Sequence, residues 1–169
     1  GSTNVFSRSS IYRKLRNRNL DDRTSQIKSI AEACKNLSQK NSGALIVLKR
    51  SNTLDDISKT GELIEARISC ALIESIFHKN NPLHDGAIVM TPSQITAARC
   101  ILPVSNNSKI SPSLGLRHRA AIGISEQTDA IAVVVSEERG DMSCCIKGDI
   151  KENLSGLELT NFLMENWDI

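Results

Sequence analysis

Two stretches of the chain bring together side chains that could do chemistry. Asn81-Pro82-Leu83-His84-Asp85-Gly86-Ala87 sets an imidazole, a carboxylate and a glycine in a row, directly ahead of the apolar run Ile88-Val89-Met90. Gly115-Leu116-Arg117-His118-Arg119-Ala120-Ala121 sets two guanidinium groups around a second imidazole. Guanidinium forks match phosphate oxygens, and a helix start nearby would add free N–H groups for an anion. Glu137-Glu138 follow the apolar run Ala130–Val135 as Asp85 precedes another. Carboxylates, one imidazole and phosphate oxygens suit Mg²⁺ or Mn²⁺, and Mn²⁺ tolerates nitrogen better. These pieces fit a nucleoside triphosphate with a metal, and phosphoryl or nucleotidyl transfer. Each also has a plainer reading: a turn before a core strand, a surface cluster on a helix, a solvated hairpin loop. His78, beside Lys79 at a helix end, reads as a favourable C-terminal cation. No Gly-rich lysine loop and no GxGxxG run is present, so neither a P-loop nor a Rossmann site is supported.

The elements that must position these residues follow from periodicity and punctuation. Pro82 and Gly86 mark a turn, and Gly86 lets other groups approach the backbone closely. Ala87–Thr91 and Ile95–Leu102 read as strands joined through Pro92-Ser93-Gln94 into an antiparallel hairpin. Residues 103–112 form a polar loop, and a helix is expected from about His118 within Leu114–Ser125. Ala130–Ser136 and Met142–Lys147 read as two strands around the charged loop Glu137–Asp141. Upstream, Asp21 or Asp22 caps a helix with Ile27, Ile30, Ala31, Cys34 and Leu37 at helical spacing. It ends near Asn41-Ser42-Gly43 and leads into a short strand, Ala44–Leu48. Lys49–Gly61 is loop-like with one turn around Leu54–Ile57, Leu63-Ile64 is a brief strand, and Ser69 opens a helix reaching Phe77. Ser155 with Glu158 completes a capping box for a last helix. Helices and strands mix without a regular βαβ repeat, so the fold class is α/β, a central mixed sheet flanked by helices.

A chain of 169 residues is one domain, long enough to bury a core without staples. Hydrophobic content of 40% and charged content of 24% are ordinary globular usage. A net charge of +2 is too small for non-specific nucleic-acid binding, so no nucleic-acid partner is expected. The five cysteines, Cys34, Cys70, Cys100, Cys144 and Cys145, form no CxxC pair and read as reduced core thiols. Adjacent Cys144 and Cys145 would point to opposite faces of a strand. No apolar run approaches the length needed to cross a bilayer. Gly1-Ser2 without a methionine reads as an expression remnant. Residues 1–20 carry Arg8, Arg13, Lys14, Arg16 and Arg18 with few apolar residues, and read as a solvated lead-in. Residues 21–169 are then the functional domain.

Several motifs together resemble the diadenylate cyclase domain. They are Leu83-His84-Asp85-Gly86-Ala87, Leu102-Pro103-Val104-Ser105, Gly115 to Ser125 around Arg117-His118-Arg119, and Val135-Ser136-Glu137-Glu138. The likeness runs from about Gly43 to Gly148, with the family's Asp-Gly-Ala and Arg-His-Arg motifs in order. The segment before it resembles the linker helix of the membrane-anchored type, whose membrane segment would precede residue 1 and tether a cytoplasmic catalytic domain. The resemblance implies condensation of two ATP into cyclic di-AMP and two pyrophosphates with a divalent metal, Mg²⁺ or Mn²⁺, and Co²⁺ as a further metal in vitro. It implies Asp85 as the carboxylate that activates the 3′-hydroxyl, with Gly86 and Ala87 beside the ribose. Arg117, His118 and Arg119 match the phosphate-binding and catalytic motif, and Leu102 lines the adenine pocket. His84, Asp85 and Glu138 match metal-associated positions, Glu138 lying by the ATP as well.

Two positions depart from the family pattern. Leu116 stands where a hydroxyl-bearing Thr is usual, which puts one hydrogen bond to ATP in question. Ile101 stands where an aromatic residue is common, which weakens stacking on the base. Because the product is closed by two equivalent linkages, two protomers face to face are the simplest route, each holding one ATP. The active form implied is a homodimer, and a regulatory protein partner is left open. Two other classes remain beside this reading: a non-catalytic adenine-nucleotide sensor that kept the pocket, and a structural regulatory domain whose clusters are only solvated loops.

Overall fold

The chain was analysed as a computed structural model that describes the backbone of residues 2–167 and the side chains of 10–15 and 21–167. Gly1 of the expected expression remnant, and the side chains of Arg8, Arg16 and Arg18, lie outside the described residues. In chain order the elements are α1 (Ser2–Gln39), β1 (Ala44–Leu48), α2 (Asp55–Ser58), β2 (Glu62–Ala66), α3 (Cys70–Ile76), a 3-10 turn (Pro82–His84), β3 (Ala87–Met90), β4 (Ile95–Cys100), α4 (Leu116–Gln127), β5 (Ile131–Val135), β6 (Met142–Ile146), β7 (Asp149–Leu154) and α5 (Gly156–Asn166). The seven strands form one sheet in the order β2-β4-β3-β1-β5-β6-β7. Among the described residues only β1 and β3 pair in parallel; the other five pairings are antiparallel.

The sheet has a core on each face, and the central strands feed both by alternation. In β1, Ala44, Ile46 and Leu48 join Ile27, Ile30 and Cys34 of α1, Ile73 and Ile76 of α3, and Leu159 and Leu163 of α5. Leu45 and Val47 join Ala121, Ile122 and Ile124 of α4 on the other face. Cys144 and Cys145 fall in the two different cores, as their adjacency in a strand required. All five cysteines are free thiols. Burial keeps Cys145 protonated, its pKa pushed up to about 12.

Three local readings change. The helix expected to start at Asp21 or Asp22 starts at Ser2. No Gly or Pro interrupts residues 2–39, so the helix continues without an apolar stripe, leaving Ile11, Tyr12 and Leu15 exposed. Strand β4 stops at Cys100, and Leu102 is buried beyond its end. Strand β7 had no counterpart in the sequence reading. Its residues Asp149 to Leu154 are exposed or half-buried, because an edge strand needs pairing on one side only.

The far end of α5 is clamped. Trp167 is fully buried and donates its indole N–H to the Lys49 carbonyl at 2.9 Å. Arg23 of α1 donates to the Trp167 carbonyl at 3.0 Å and to the Met164 carbonyl. Replacing Trp167 with Ala is expected to lower the unfolding free energy by about 3–5 kcal/mol, read as a fall in the urea midpoint. A loss below about 1 kcal/mol would show that this end adds little to the core.

Candidate active site

The motif residues gather at one end of the sheet, and strand pairing puts them there. In the parallel pair, Ile46 sits beside Ile88 and Val47 beside Val89. Both strands therefore start at one end of the sheet, Gly43 just ahead of β1 and Asp85 two residues ahead of β3. Strand β5 runs the other way, with Val135 opposite Ala44, so Ser136, Glu137 and Glu138 emerge at the same end. Strand β4 ends there too, with Cys100 opposite Ala87, which brings Ile101 and Leu102 alongside. Strand β6 begins there, Met142 facing Val135.

The turn carrying Asp85 is held by Asn81. Its Oδ1 accepts the Leu83 N–H at 2.9 Å, and its side-chain amide donates to the Ser75 carbonyl at the end of α3 at 2.9 Å. Its own carbonyl accepts from the His84 backbone N–H at 3.1 Å and lies 2.7 Å from His84 Nδ1. A carbonyl only accepts, so Nδ1 carries the proton in that contact, and the neutral tautomer that fits it has its lone pair on Nε2. Gly86 has φ +136°, and a Cβ there would meet the Arg99 backbone at 2.7 Å. Only glycine fits that approach, which fixes Asp85 at the mouth of β3. Asp85 itself is exposed.

Helix α4 points its first turn at the same end. Its N-cap, Gly115, provides no side-chain cap, so the N–H groups of the first turn are open to an anion. Arg117 follows, its guanidinium 3.4 Å from Glu137 Oε1. Arg117, His118, Ser113 and Gly115 line a cleft of about 70 Å³ with Ser136, Glu137, Glu138, Arg139, Asp141, Ser143 and Glu152. That is well below the roughly 300–1,000 Å³ of a pocket enclosing a drug-sized ligand. It suits one anionic group, with the rest of a larger ligand lying along the sheet end.

The sequence-expected residues divide into three groups. Arg117, His118 and Glu138 line the cleft. Asp85, Gly86, Ala87 and Leu102 do not line it but stand at the same end of the sheet. Ala87 and Leu102 are buried in the core under α4. Arg119 is half-buried, and its backbone carbonyl accepts from Ser105 N at 3.0 Å, pinning the Pro103–Ser105 segment to α4. Leu116 and Ile101 are 71% and 70% exposed, so both are free to meet a ligand or a second protein surface. His84, Asp85 and Glu138 do not form a ready-made metal centre. Among the described residues no group of three or more His, Cys, Asp or Glu stands close enough to hold an ion alone. Glu152 lies on β7, a strand with no apolar pattern in the sequence, and Asp141 ends the charged loop before β6 with nothing to set it apart from its neighbours. Gly43 gave no signal beyond its place before an apolar run.

His118 is nearly buried and its pKa lies below the ordinary 6.5. Burial is the main cause, and Arg139 and Arg117 add to it, while Glu152 and Asp141 oppose. The imidazole is therefore neutral at pH 7 and meets the cleft as a hydrogen-bonding group.

A family model fits this arrangement. The model for DAC, the DisA bacterial checkpoint controller nucleotide-binding family, matches residues 31–150. The chain belongs to this family. Among its relatives, the diadenylate cyclase CdaS of Bacillus thuringiensis is 45% identical over 119 residues, covering 70% of this chain and 59% of CdaS. The crystal structure of a DacA double mutant from Staphylococcus aureus superimposes with a TM-score of 0.85 at 41% identity, over 87% of this chain and 98% of that one. A hypothetical membrane-spanning protein from Bacillus cereus matches with a TM-score of 0.73 at 42% identity, over 75% of this chain and 62% of that one. The chain spans 50–59% of the length of the curated relatives named diadenylate cyclase or cyclic di-AMP synthase at 41–45% identity. Among the described residues, no helix of this DAC chain is long and apolar enough to cross a membrane.

The sign of the His118 effect is testable. A folded pKa below the unfolded one means the unfolded chain binds the proton first as pH falls. The contribution is complete above pH 6.5 and is lost as pH falls through the lower folded value. The variant His118→Gln is expected to show a shallower loss of stability between pH 7.5 and 5.5 than the parent, in urea unfolding at each pH. Parallel profiles would mean that His118 is as accessible to protons folded as unfolded.

Proposed function

We propose that this chain is a diadenylate cyclase domain that joins two ATP molecules into cyclic di-AMP and releases two pyrophosphates. The observation that carries the reading is the presence of Asp85 and the Arg117 guanidinium at the same end of the sheet, Arg117 against Gly43 and Asp85 ahead of β3. The names of the relatives at 41–45% identity support it.

In this reading the triphosphate enters the cleft at the start of α4. Arg117, the neutral His118 and the open N–H groups of the first turn receive its phosphate oxygens. The ribose and base lie along the sheet end, toward Gly86, Ala87 and Leu102. Asp85 takes the proton of the 3′-hydroxyl as that oxygen attacks the α-phosphorus of the second ATP. One O3′–P bond forms, the bond from the α-phosphorus to the α,β-bridging oxygen breaks, and pyrophosphate leaves. Repeating the step with the two nucleotides exchanged closes the ring. The two steps are equivalent, so two copies of the chain related by a two-fold axis supply both halves. Most of the catalysis is positioning and charge neutralisation. Exposed Leu116 and Ile101 lie where base and ribose would sit.

A divalent metal fits the donors present. Asp85, Glu138 and His84 Nε2 are too few and too spread to form a closed centre, which is how Mg²⁺ sites completed by substrate phosphates are built. Bound with ATP, the ion would neutralise charge developing on the phosphates; Mn²⁺ would accept the imidazole more readily than Mg²⁺. The exposed face of α1 carries Arg13 and Lys14. It suits the anionic surface of a membrane if an anchor lies upstream.

Incubation with ATP and Mg²⁺ or Mn²⁺ is expected to yield cyclic di-AMP by mass, and ATP binding without product would leave a sensor instead. Asp85→Asn is expected to bind ATP with near-parental affinity in calorimetry and to lose at least about a hundredfold in turnover; retained turnover removes Asp85 from the proton transfer. Chelation is expected to stop product formation while leaving the melting temperature of the ligand-free chain unchanged. A drop in that temperature would mean that a metal is part of the fold.

A further inference from the structure

We infer that Gly43 is a positioning residue, present because its missing side chain forms the slot in which the Arg117 guanidinium lies. This inference rests on the phosphate-binding reading of Arg117. A Cβ built on Gly43 would stand 2.5 Å from Arg117 Cζ, 2.6 Å from Nη1 and 3.0 Å from Nε. These are three of the four heavy atoms of the guanidinium, the first two nearer than real Cβ contacts come and the third unusually tight. The glycine is not required by the backbone. Gly86, Gly140 and Gly148 have φ in the left-handed region, and Gly43 does not. A glycine beside a strand that needs no unusual φ marks a close approach by another group.

The guanidinium thus rests against the chain between α1 and β1, with its Nη1 also 3.4 Å from Glu137 Oε1. A free arginine loses substantial rotamer entropy when it is fixed on a ligand. Here that loss is taken on folding, so the fork is already placed when a phosphate arrives. The same slot holds Arg117 at the end of the sheet where Asp85 precedes β3. Gly43 therefore sets where the group that receives phosphate rests at that end.

Other glycines differ in what they make room for. A Cβ at Gly61 or Gly123 would run into backbone, the carbonyls of Ala98 and Pro103 respectively. Substitution at those positions should unfold the chain locally. At Gly43 the obstacle is the tip of a flexible side chain, which can swing away. The variant Gly43→Ala should fold and lose only the placement of Arg117.

The test is a double-mutant cycle read by ATP calorimetry with Mg²⁺, alongside melting temperature. Gly43→Ala is expected to melt with the parent and to weaken ATP binding about tenfold, the worth of a charge-assisted hydrogen bond. In the Arg117→Lys background, where the tip is a slim ammonium, adding Gly43→Ala is expected to change affinity less than about twofold. Equal losses in both backgrounds, or parental affinity in Gly43→Ala, would overturn the inference. So would a melting temperature that collapses as far as that of Gly123→Ala. Arg117→Ala separates the two claims. If it binds ATP like the parent, the phosphate reading falls and takes this one with it. If it loses affinity while Gly43→Ala does not, only the role of Gly43 falls.

Discussion

Because β1 and β3 are parallel neighbours, both leave their preceding turns at the same end of the sheet, and Gly43 and Asp85 precede them there. An antiparallel pairing would have sent Asp85 to the opposite end from Gly43 and the start of α4. Parallel strands cannot be joined by a tight turn, and the connection between β1 and β3 carries α2, β2 and α3. That excursion lets β4 return beside β3, with β2 on its outer side, so that Ile101 and Leu102 reach the same end. The antiparallel partner on the other side, β5, then delivers Glu137 and Glu138. One parallel pairing among six thus gathers residues from four separate parts of the chain.

The cleft at that end is electrically mixed, and the mixture bears on binding. Arg117, Arg139 and His118 face Glu137, Glu138, Asp141 and Glu152. The Arg117–Glu137 pair is partly exposed, the two side chains at 26% and 56%. Such pairs contribute about 0–1 kcal/mol. A polyanion offering several oxygens to the same fork competes easily with one half-exposed carboxylate. Glu137 keeps the guanidinium from wandering without holding it against a ligand, and Gly43 sets where it rests.

The local order of this fold was legible because it is written in short-range pattern. The unbroken apolar runs of β1 and β5, the turn at Pro92-Ser93-Gln94 and the capping box of Ser155 with Glu158 are each set by neighbours in sequence. The motifs of the site were legible as residue types; Asp85 and Arg117-His118-Arg119 stand at one end of the sheet, although Asp85 lies outside the cleft that Arg117 and His118 line. The rest depended on distant partners. Strand β7 shows no apolar alternation because its outer edge is solvated, so Glu152 could not be placed in the cleft. The first half of α1 lacks an apolar stripe, and its helicity follows from the absence of breakers. The importance of Gly43 lies wholly in a side chain that reaches it from α4.

The end of α1 ties these parts together. Ser42 N donates to the Leu37 carbonyl at 2.9 Å, and Asn41 takes a positive φ of 49°, so the helix stops sharply. The chain then enters β1 through Gly43 with no slack. Ser38 of the same last turn donates its hydroxyl to the Gly140 carbonyl, in the turn that carries Glu137 and Glu138. Gly140 has φ +78°, and a Cβ there would meet the Ser38 carbonyl at 2.5 Å, so the turn lies directly against the helix end. The floor under Arg117 and the turn that pairs with it are therefore fixed to one helix terminus. A displacement of that terminus would act on both, alongside the pairings of β1, β5 and β6 that also hold them. The spacing that the chemistry needs is set by packed backbone, leaving the side chains of the cleft to adapt to what enters it.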